Sequence, residues 1–318
     1  MRELTIMGWN INGRSGYSHA YAIPPFVADK IMKEETDIVV LTEFVMTAGW
    51  HHIKSVLEKK YCIFSSYTSN QNGVLIAIKK NIEGLDIKSA RVSTEMNTDQ
   101  TEKPNFLQVT VSYNEQPIFI IGTRIRYDDK EKQLNALYDH LNSLNKKECK
   151  VICIGDNNAT PRFLWKEIKS KCKDYKLDSP SYNTDNDTYK RNNKEYCCWS
   201  YVHKDGEGID KGKASLDHII SNGLTVTSSD YLWDFVNEEN GYKKDHVIIQ
   251  PEDYKSDLVG LPDHAILIAE VMLKKENNSL INEDKGNVVV CPKCGKRFDV
   301  GTYSIPEYCE NCTNEDNE

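Results

Sequence analysis

Short apolar runs rich in β-branched residues recur along most of this chain, and they constrain its fold more than any other feature. Many follow one another directly, as in β-hairpins. The strand candidates are Leu4 to Trp9, Ile38 to Leu41, Tyr61 to Ser65, Val74 to Ile78, Phe106 to Ser112, Ile118 to Thr123, Val151 to Ile154, His218 to Ser221 and Ala265 to Met272. The pattern therefore predicts sheets with much antiparallel pairing.

Helical patterns are fewer and lie between the strand candidates. Phe26 to Glu35 and Ile53 to Lys60 have helical periodicity. A stripe of apolar residues at helical spacing also predicts a helix that packs on a sheet, and its members are Leu134, Leu137, Tyr138, Leu141 and Leu144. Residues 174–213 are polar and carry only one short strand-like piece, Tyr196 to Val202, so we expect mostly long surface loops there. Together these elements predict an α/β layered sandwich.

The composition is that of a globular protein with a substantial core. The chain has 318 residues, of which 39% are apolar, and a formal net charge of −8. A strongly acidic chain does not attract polyanions over its whole surface, so any nucleic acid must be met by a local patch or by metal ions. We find no signal-peptide pattern and no apolar run of membrane-spanning length, and we therefore expect a soluble, cytoplasmic protein without a membrane partner.

A polar segment near the C-terminus predicts a boundary between two domains. Residues 274–286, "KKENNSLINEDKG", have the composition of a flexible linker. We expect a catalytic domain over residues 1–273 and a small cysteine-bearing domain with an acidic tail over residues 287–318.

This small domain is predicted to be a zinc ribbon. Two CxxC pairs with fourteen residues between them have a spacing close to that of tetrahedral Cys₄ zinc sites, and the ligands are Cys291, Cys294, Cys309 and Cys312. Such sites hold structural Zn²⁺, and the modules that contain them more often bind nucleic acid or protein than do chemistry. The spacing also favours a reducing compartment over a disulfide framework.

The strand candidate Val151 to Ile154 ends in an unusually polar cluster. The sequence "CIGDNNATP" places Gly155, Asp156, Asn157 and Asn158 directly after it. A tight turn is one explanation, because these residue types tolerate turn geometry. A pair of catalytic groups is the other, with Gly155 allowing a close approach of the backbone.

Other strand candidates begin or end in the same way. Asn10 and Glu43 follow the first two strands, Asp217 opens the strand in "SLDHII", and Asp263 with His264 opens the last one. In an antiparallel sheet the end of one strand lies beside the start of its neighbour, so these groups can share one edge. Carboxylates, amides and a histidine together suit Mg²⁺ and a phosphate ester.

Five motifs in order make the chain resemble the endonuclease/exonuclease/phosphatase superfamily of metal-dependent phosphoesterases. They are "WNING", "LTE", "GDNNATP", "SLDHI" and "PDHAILIAEV", and they span about residues 4 to 272. The resemblance implies a four-layered sandwich of two mixed, largely antiparallel sheets flanked by helices. It also implies a Mg²⁺ (or Mn²⁺) site, with Glu43 as the principal ligand, Asn10 near the metal and the phosphate, and Asp263 supporting the metal side.

The same resemblance implies roles for the remaining motif residues. Asp156 would orient and deprotonate the attacking water, and Asn158 would bind a phosphoryl oxygen and help to hold Asp156. Asp217 would pair with His264, whose ring would contact the scissile phosphate. In-line attack places negative charge on the phosphoryl oxygens, and these groups would stabilise it.

Two positions depart from the pattern of the family. Arg124, in "IGTRIRY", stands where many members have a His or Tyr facing the phosphate. It is either a phosphate clamp or a surface arginine at a strand end. Asn12, in "WNING", stands where apurinic endonucleases carry an acid and phosphatase relatives carry Asn.

The resemblance leaves three functions open. A Mg²⁺-dependent nuclease that acts on DNA or RNA leads, with the zinc ribbon gripping the substrate or a protein partner. A phosphatase or phosphodiesterase for a small or lipid-linked phosphate ester is the second. A non-catalytic binding module for nucleic acid or protein is the third, although every main catalytic residue type is present.

Overall fold

A computed structural model describes most of the chain. The described residues are 2–12, 25–45, 50–66, 72–91, 104–145, 149–180, 188–191, 194–204, 210–237, 262–273, 288–290 and 297–299. The chain divides into two compact units, Met1–Lys274 and Lys275–Glu318. Within the described residues no helix combines the length and the apolar character that crossing a membrane requires.

The first unit contains two mixed sheets. Its strands are β1 (Arg2–Asn10), β2 (Ile38–Phe44), β3 (Tyr61–Ser65), β4 (Gly73–Lys79), β5 (Leu85–Arg91), β6 (Asn105–Tyr113), β7 (Gln116–Arg124), β8 (Lys150–Asp156), β9 (Lys176–Asp178), β10 (Thr188–Arg191), β11 (Lys194–Cys197), β12 (Tyr201–Lys204), β13 (Asp210–Ala214), β14 (Asp217–Asn222), β15 (Thr225–Leu232) and β16 (Ile266–Leu273). One sheet has the order β10-β11-β15-β16-β1-β2-β4-β3, and the other has the order β5-β6-β7-β8-β14-β9. Strands β12 and β13 form a separate two-stranded ribbon.

The inner faces of the two sheets pack closely against each other. A Cβ atom on Gly122 of β7 would lie 2.7 Å from a side-chain carbon of Val40 and 2.5 Å from one of Val74, both in the opposite sheet. A Cβ atom on Gly8 of β1 would likewise lie 2.8 Å from the side chain of Ile154. Real Cβ contacts do not reach such distances, so these glycines permit the close approach.

Helices cover the outer faces and complete the layers. They are α1 (Pro25–Glu34), α2 (Trp50–Leu57), α3 (Lys130–Asn145) and α4 (Pro161–Lys171). The apolar stripe of α3 is buried with Leu164 and Ile168 of α4 against the six-stranded sheet. Buried residues of α1 and α2 belong to the larger core cluster that includes the eight-stranded sheet. The predicted sandwich of two mixed sheets flanked by helices is confirmed.

One helix was missed in the sequence, and one expectation about local structure was wrong. Helix α4 had not been predicted, although Pro161 at its first turn and the pair Leu164 and Ile168 at i, i+4 spacing were available signals. Residues 174–213 contain the short strands β9 to β13 rather than mostly long loops. Strands β9 and β10 lie at sheet edges, and β12 and β13 form the separate ribbon, positions at which a polar sequence is common.

In the second unit the structure describes one short antiparallel pair. Strand β17 (Val288–Val290) pairs with β18 (Arg297–Asp299). The four predicted zinc ligands Cys291, Cys294, Cys309 and Cys312 lie outside the described residues, as does the predicted linker, residues 274–286. The zinc ribbon and the domain boundaries therefore stay predictions.

Strand direction brings the polar strand ends to one edge. Strands β1 and β2 are parallel, with Asn10 opposite Thr42, and β7 and β8 are parallel, with Arg124 opposite Asp156. Strand β14 runs antiparallel to β8 and begins at Asp217, directly opposite Asp156. The ends of β1 and β2 in the first sheet therefore lie beside the ends of β7 and β8 and the start of β14 in the second. Together these strand ends form one site.

Candidate active site

Asp156 lies at the centre of the site, and its side chain is buried. The preceding residue Gly155 has a φ of 153°, and a Cβ atom there would lie only 1.9 Å from the carbonyl oxygen of Thr123. Only glycine fits this close approach of β7 and β8, as the sequence had indicated. Burial raises the pKa of Asp156 to about 7, with Asp217 acting in the same direction and His264 and Arg124 opposing it.

Two asparagine side chains hold the Asp156 carboxylate. The backbone amide of Asn158 donates to its Oδ1 at 2.9 Å, and the side-chain nitrogen of Asn158 donates to its Oδ2 at 3.1 Å. Asn158 has a φ of 46°, a left-handed conformation that asparagine tolerates and that turns its amide back toward Asp156. From the other sheet, Nδ2 of Asn10 donates to Oδ2 at 3.1 Å.

Asn10 bridges two carboxylates. Its Nδ2 also donates to Oε1 of Glu43 at 3.1 Å, while its Oδ1 accepts from the backbone amide of Asn12 at 2.9 Å. The amide therefore presents its nitrogen to the acids, and its oxygen is already engaged. In this arrangement the Asn10 amide positions Glu43 and Asp156, and its role as a metal ligand stays a prediction. Asn12 itself is buried.

Glu43 is paired with Arg124. An irregularity in the pairing of β2 with β4 falls between Leu41 and Phe44, and Glu43 there has a φ of 51°. Such a conformation is costly for a glutamate and is found where function or packing demands it. Nη2 of Arg124 lies 2.6 Å from Oε1 of Glu43, and its Nε lies 3.9 Å from Oδ2 of Asp156. Arg124 thus belongs to the site and is not a surface residue.

Some polar atoms around Arg124 lack a partner. Nε of Arg124 and Oδ1 of Asn105, its register partner on β6, are both buried without a hydrogen bond among the described residues. Such atoms are rare in proteins and indicate a place where water, an ion or a ligand binds. Asn105 had not been singled out in the sequence, where an asparagine at a strand start carries no distinctive signal.

His264 and Asp217 form a buried pair. Nδ1 of His264 lies 2.7 Å from Oδ2 of Asp217. Burial acts to lower the pKa of the ring, but the carboxylates of Asp217, Asp156 and Asp263 outweigh it and raise the pKa to about 10. The ring is therefore a cation at neutral pH, and Asp217 fixes its orientation through Nδ1.

Ser200 and Tyr201, which lie outside the motifs, and Trp9 of "WNING" support this pair. Ser200 is fully buried, and its hydroxyl accepts from the backbone amides of Leu216 at 2.9 Å and Asp217 at 3.3 Å. The ring of Tyr201 lies 4.9 Å from that of His264, centroid to centroid. Nε1 of Trp9 donates to the carbonyl oxygen of His264 at 3.2 Å. A residue that acts through tertiary contacts leaves no local pattern, which is why Ser200 was not identified from the sequence.

His218 connects the loop after β8 to the segment before β14. Its Nε2 lies 2.9 Å from the carbonyl oxygen of Ala159 and 3.1 Å from that of Ser215, and its Nδ1 lies 3.1 Å from the hydroxyl of Ser179. Burial lowers the pKa of this histidine, so the ring is neutral. It braces the backbone on both sides of the site.

The donor set fits a divalent cation. Four carboxylates and two cationic side chains share the site: Glu43, Asp156, Asp217, Asp263, Arg124 and His264. Burial, with Glu43 adding to it, raises the pKa of Asp263 to about 6. A divalent ion would offset the excess of carboxylates over cationic side chains, and carboxylate oxygens are the ligands that Mg²⁺ prefers. Oxygen and nitrogen atoms of Asp156, Asp217 and His264 also lie within 4.8 Å of one another.

The family is settled by a match over most of the chain. Residues 7–238 match the model of the endonuclease/exonuclease/phosphatase family. The chain belongs to this family. It is accordingly an enzyme of the phosphoester hydrolase type, and the family match ends before Asp263 and His264, which the structure brings to the site.

Solved structures share the fold at low identity. D. rerio TDP2 complexed with a single-strand DNA product aligns with a TM-score of 0.56 at 12% identity, over 85% of this chain and 99% of that one. The human Nocturnin catalytic domain with a bound sulfate anion gives a TM-score of 0.54 at 15% identity, over 85% and 94%. ANGEL2, a 2′,3′-cyclic phosphatase, gives 0.52 at 14% identity, over 85% and 95%. Among curated protein sequences none matches the chain.

Proposed function

We propose that this protein is a Mg²⁺- or Mn²⁺-dependent phosphodiesterase whose substrate is a nucleic acid. The observation that carries the proposal is the junction at Asp156, where one buried carboxylate is held by amides from both sheets and lies beside a cationic histidine. The fold neighbour solved with a single-strand DNA product supports a nucleic-acid substrate.

In the proposed reaction Asp156 accepts a proton from the attacking water. A pKa raised by burial suits a general base, and the hydrogen bonds from Asn10 and Asn158 fix the direction of its lone pairs. His264, held through Nδ1 by Asp217, leaves Nε2 to donate to a phosphoryl oxygen as negative charge grows. These side chains are positioned before the substrate arrives, so little reorganisation is needed in the transition state.

The metal is proposed to lie on the side of Glu43 and Asp263. When bound there, Mg²⁺ would neutralise charge on the phosphate as a Lewis acid. Asn10 would hold Glu43 in place through its amide nitrogen. Arg124 is proposed to contact a non-bridging phosphate oxygen, since its guanidinium is rigid and permanently charged, and its buried Nε makes no hydrogen bond among the described residues.

We propose a structural Zn²⁺ ion in the second unit, bound by Cys291, Cys294, Cys309 and Cys312. The spacing of the two CxxC pairs supports it. Lys293, Lys296 and Arg297 would let the ribbon contact a nucleic acid backbone, and a protein partner is the alternative.

A phosphatase acting on a small phosphate ester is the second candidate. Asn12 at the position of an acid in apurinic endonucleases favours it, and so does the fold neighbour described as a cyclic phosphatase.

One panel of substrates separates the candidates. Purified protein is incubated with plasmid DNA, single-stranded DNA, RNA, inositol phosphates and a generic diester, each with Mg²⁺, Mn²⁺ or EDTA. We expect metal-dependent cleavage of a nucleic acid, abolished by EDTA. An Asp156→Asn variant purified in parallel controls for contaminating nucleases. Cleavage of small monoesters alone would favour the phosphatase, and no cleavage with any metal would contradict the proposed function.

A further inference from the structure

Tyr127 exposes a large aromatic ring three residues after Arg124 of the candidate active site. Its side chain is 82% exposed, and the next most exposed large apolar side chain among the described residues is Phe163, at 37%. An isolated exposed apolar residue is unremarkable in itself. The hydrogen bonds that hold its segment and the charged residues near it indicate a specific role for Tyr127.

The backbone on both sides of Tyr127 is held by one buried side chain. Gln133 of α3 is fully buried, its Oε1 accepts from the backbone amide of Arg126 at 2.8 Å, and its Nε2 donates to the carbonyl oxygen of Asp128. The backbone amide of Gln133 also donates to the carbonyl oxygen of Asp129 at 3.1 Å. Buried hydrogen bonds thus fix the segment that displays the ring.

The same segment is tied to the catalytic groups. Ile125 donates from its backbone amide to the carbonyl oxygen of Asp156 at 2.8 Å, and its own carbonyl oxygen accepts from Nδ2 of Asn158 at 2.6 Å. Tyr127 is therefore two residues from an anchor that contacts both Asp156 and Asn158, and three residues from Arg124.

Two cationic residues flank Tyr127 in the sequence, Arg126 directly before it and Lys130 three positions after it. Burial together with the nearby Arg124 guanidinium lowers the pKa of Arg126, although an arginine stays charged at neutral pH. Nζ of Lys130 lies 5.6 Å from the ring centroid of Phe163, at the start of α4. Asp128 and Asp129 add negative charge, and Asp129 is paired with Lys132 at 3.6 Å.

We propose that Tyr127 is a stacking platform for an unpaired nucleobase of the substrate, next to the nucleotide whose phosphate lies in the active site. This inference rests on the proposed nuclease function and adds the recognition of a single-stranded segment. Base stacking on aromatic side chains is sequence-tolerant, because every base has a π-face, and it is combined with cations that follow the backbone.

The occupant is a base rather than an apolar protein surface because of what surrounds the ring. Protein interfaces bury a contiguous patch with several apolar anchors, whereas the neighbours of Tyr127 in sequence are charged. One exposed ring with charged neighbours is suited to stack on a single planar base that is attached to a charged backbone.

A cycle of two changes tests the platform, one in the protein and one in the substrate. The substrates are an eight-nucleotide single strand of the nucleic acid cleaved best in the panel and the same strand with abasic residues, which keeps the phosphates and removes the bases. The proteins are wild type, Tyr127→Phe and Tyr127→Ala, with Asp139→Ala as a control at an exposed position on α3. The measured quantity is the ratio of kcat/KM for the two strands, and thermal melting checks the fold of each variant.

We expect wild type, Tyr127→Phe and Asp139→Ala to prefer the strand with bases by about tenfold, and Tyr127→Ala to lose that preference. If Tyr127→Ala keeps the preference, or loses activity equally on both strands, the platform is refuted while the nuclease function stands. If another ester in the panel is cleaved but no nucleic acid is, both the nuclease function and the platform fall.

Discussion

Nδ1 of His264 and Oδ2 of Asp217 lie 2.7 Å apart at the buried edge of the site, although 47 positions in the sequence separate the two residues. The contact exists because β14 begins at Asp217 and β16 begins two residues after His264, in different sheets. It joins the two sheets at the point where the proposed chemistry takes place.

Replacing Asp217 with Asn should reduce kcat by roughly 10²–10⁴, because the ring of His264 loses the carboxylate that orients and charges it. His264→Ala should cause a loss of at least a similar size. Single-turnover cleavage by purified variants measures the effect, with circular dichroism as the control for folding. Wild-type kcat in either variant would remove this pair from the mechanism.

Asp156→Asn should abolish phosphoester cleavage without weakening the fold. Asparagine keeps the shape and the acceptor for the Asn158 backbone amide, but it cannot take a proton, so we expect a fall in kcat of roughly 10² or more. The new amide nitrogen would face the side-chain nitrogens of Asn10 and Asn158, which donate to Oδ2 in the wild type. This loss opposes the relief of removing one negative charge from the carboxylate cluster, so the melting temperature should change little. A large drop in melting temperature would instead assign Asp156 a structural role.

Arg124→Lys should lower kcat/KM although it keeps the charge. A lysine can replace the contact of Nη2 with Glu43, but it cannot reproduce the planar fork that also lies near Asp156. We expect a loss on the order of tenfold for Lys and a larger one for Ala, measured on the best substrate of the panel. If both variants match wild type, Arg124 does not contact the phosphate.

Asp178 should make the free energy of unfolding depend on pH. Burial raises its pKa to about 6, although Ser221 donates a hydrogen bond to it. Because the folded pKa lies above the value of about 3.9 in the unfolded chain, its contribution is fully present below about pH 4 and is lost as pH rises through 6. Asp178→Asn keeps an acceptor for Ser221 and should gain stability relative to wild type over that range, on the order of 1 kcal/mol.

Urea unfolding at pH 4, 5, 6 and 7 measures this change. Asp139→Asn, at an exposed position on α3, controls for a general effect of removing a negative charge. A difference between Asp178→Asn and wild type that is constant across the four pH values would contradict the buried ionisation.

Cys294→Ser should remove zinc from the protein. The wild-type chain is expected to contain about one zinc ion, and loss of one thiolate from a closed Cys₄ site should lower this content strongly. Elemental analysis of the full-length protein measures it. Every proposed catalytic residue precedes Lys275, so cleavage of a generic diester should be unchanged. Zinc-free wild-type protein with four free thiols would rule out the ribbon.

The sequence by itself determined the layered fold and the residues that end its strands. Alternation and β-branched runs are local properties, so β1, β2, β7, β8 and β14 were expected close to where they lie. The role of Gly155 was also predicted from the sequence, because its neighbours suggested that the backbone approaches another strand closely there. Asp156, Glu43 and His264 were named from their motifs.

Only the tertiary structure decided how those residues meet. The direction of the Asn10 amide, the pairing of Arg124 with Glu43 and the support of Asp217 by Ser200 depend on the register between strands and on the packing of one sheet against the other. These contacts join residues far apart in the chain, and no local pattern records them. A polar residue at a strand end is compatible with a turn, a surface or a site until its partners are brought beside it.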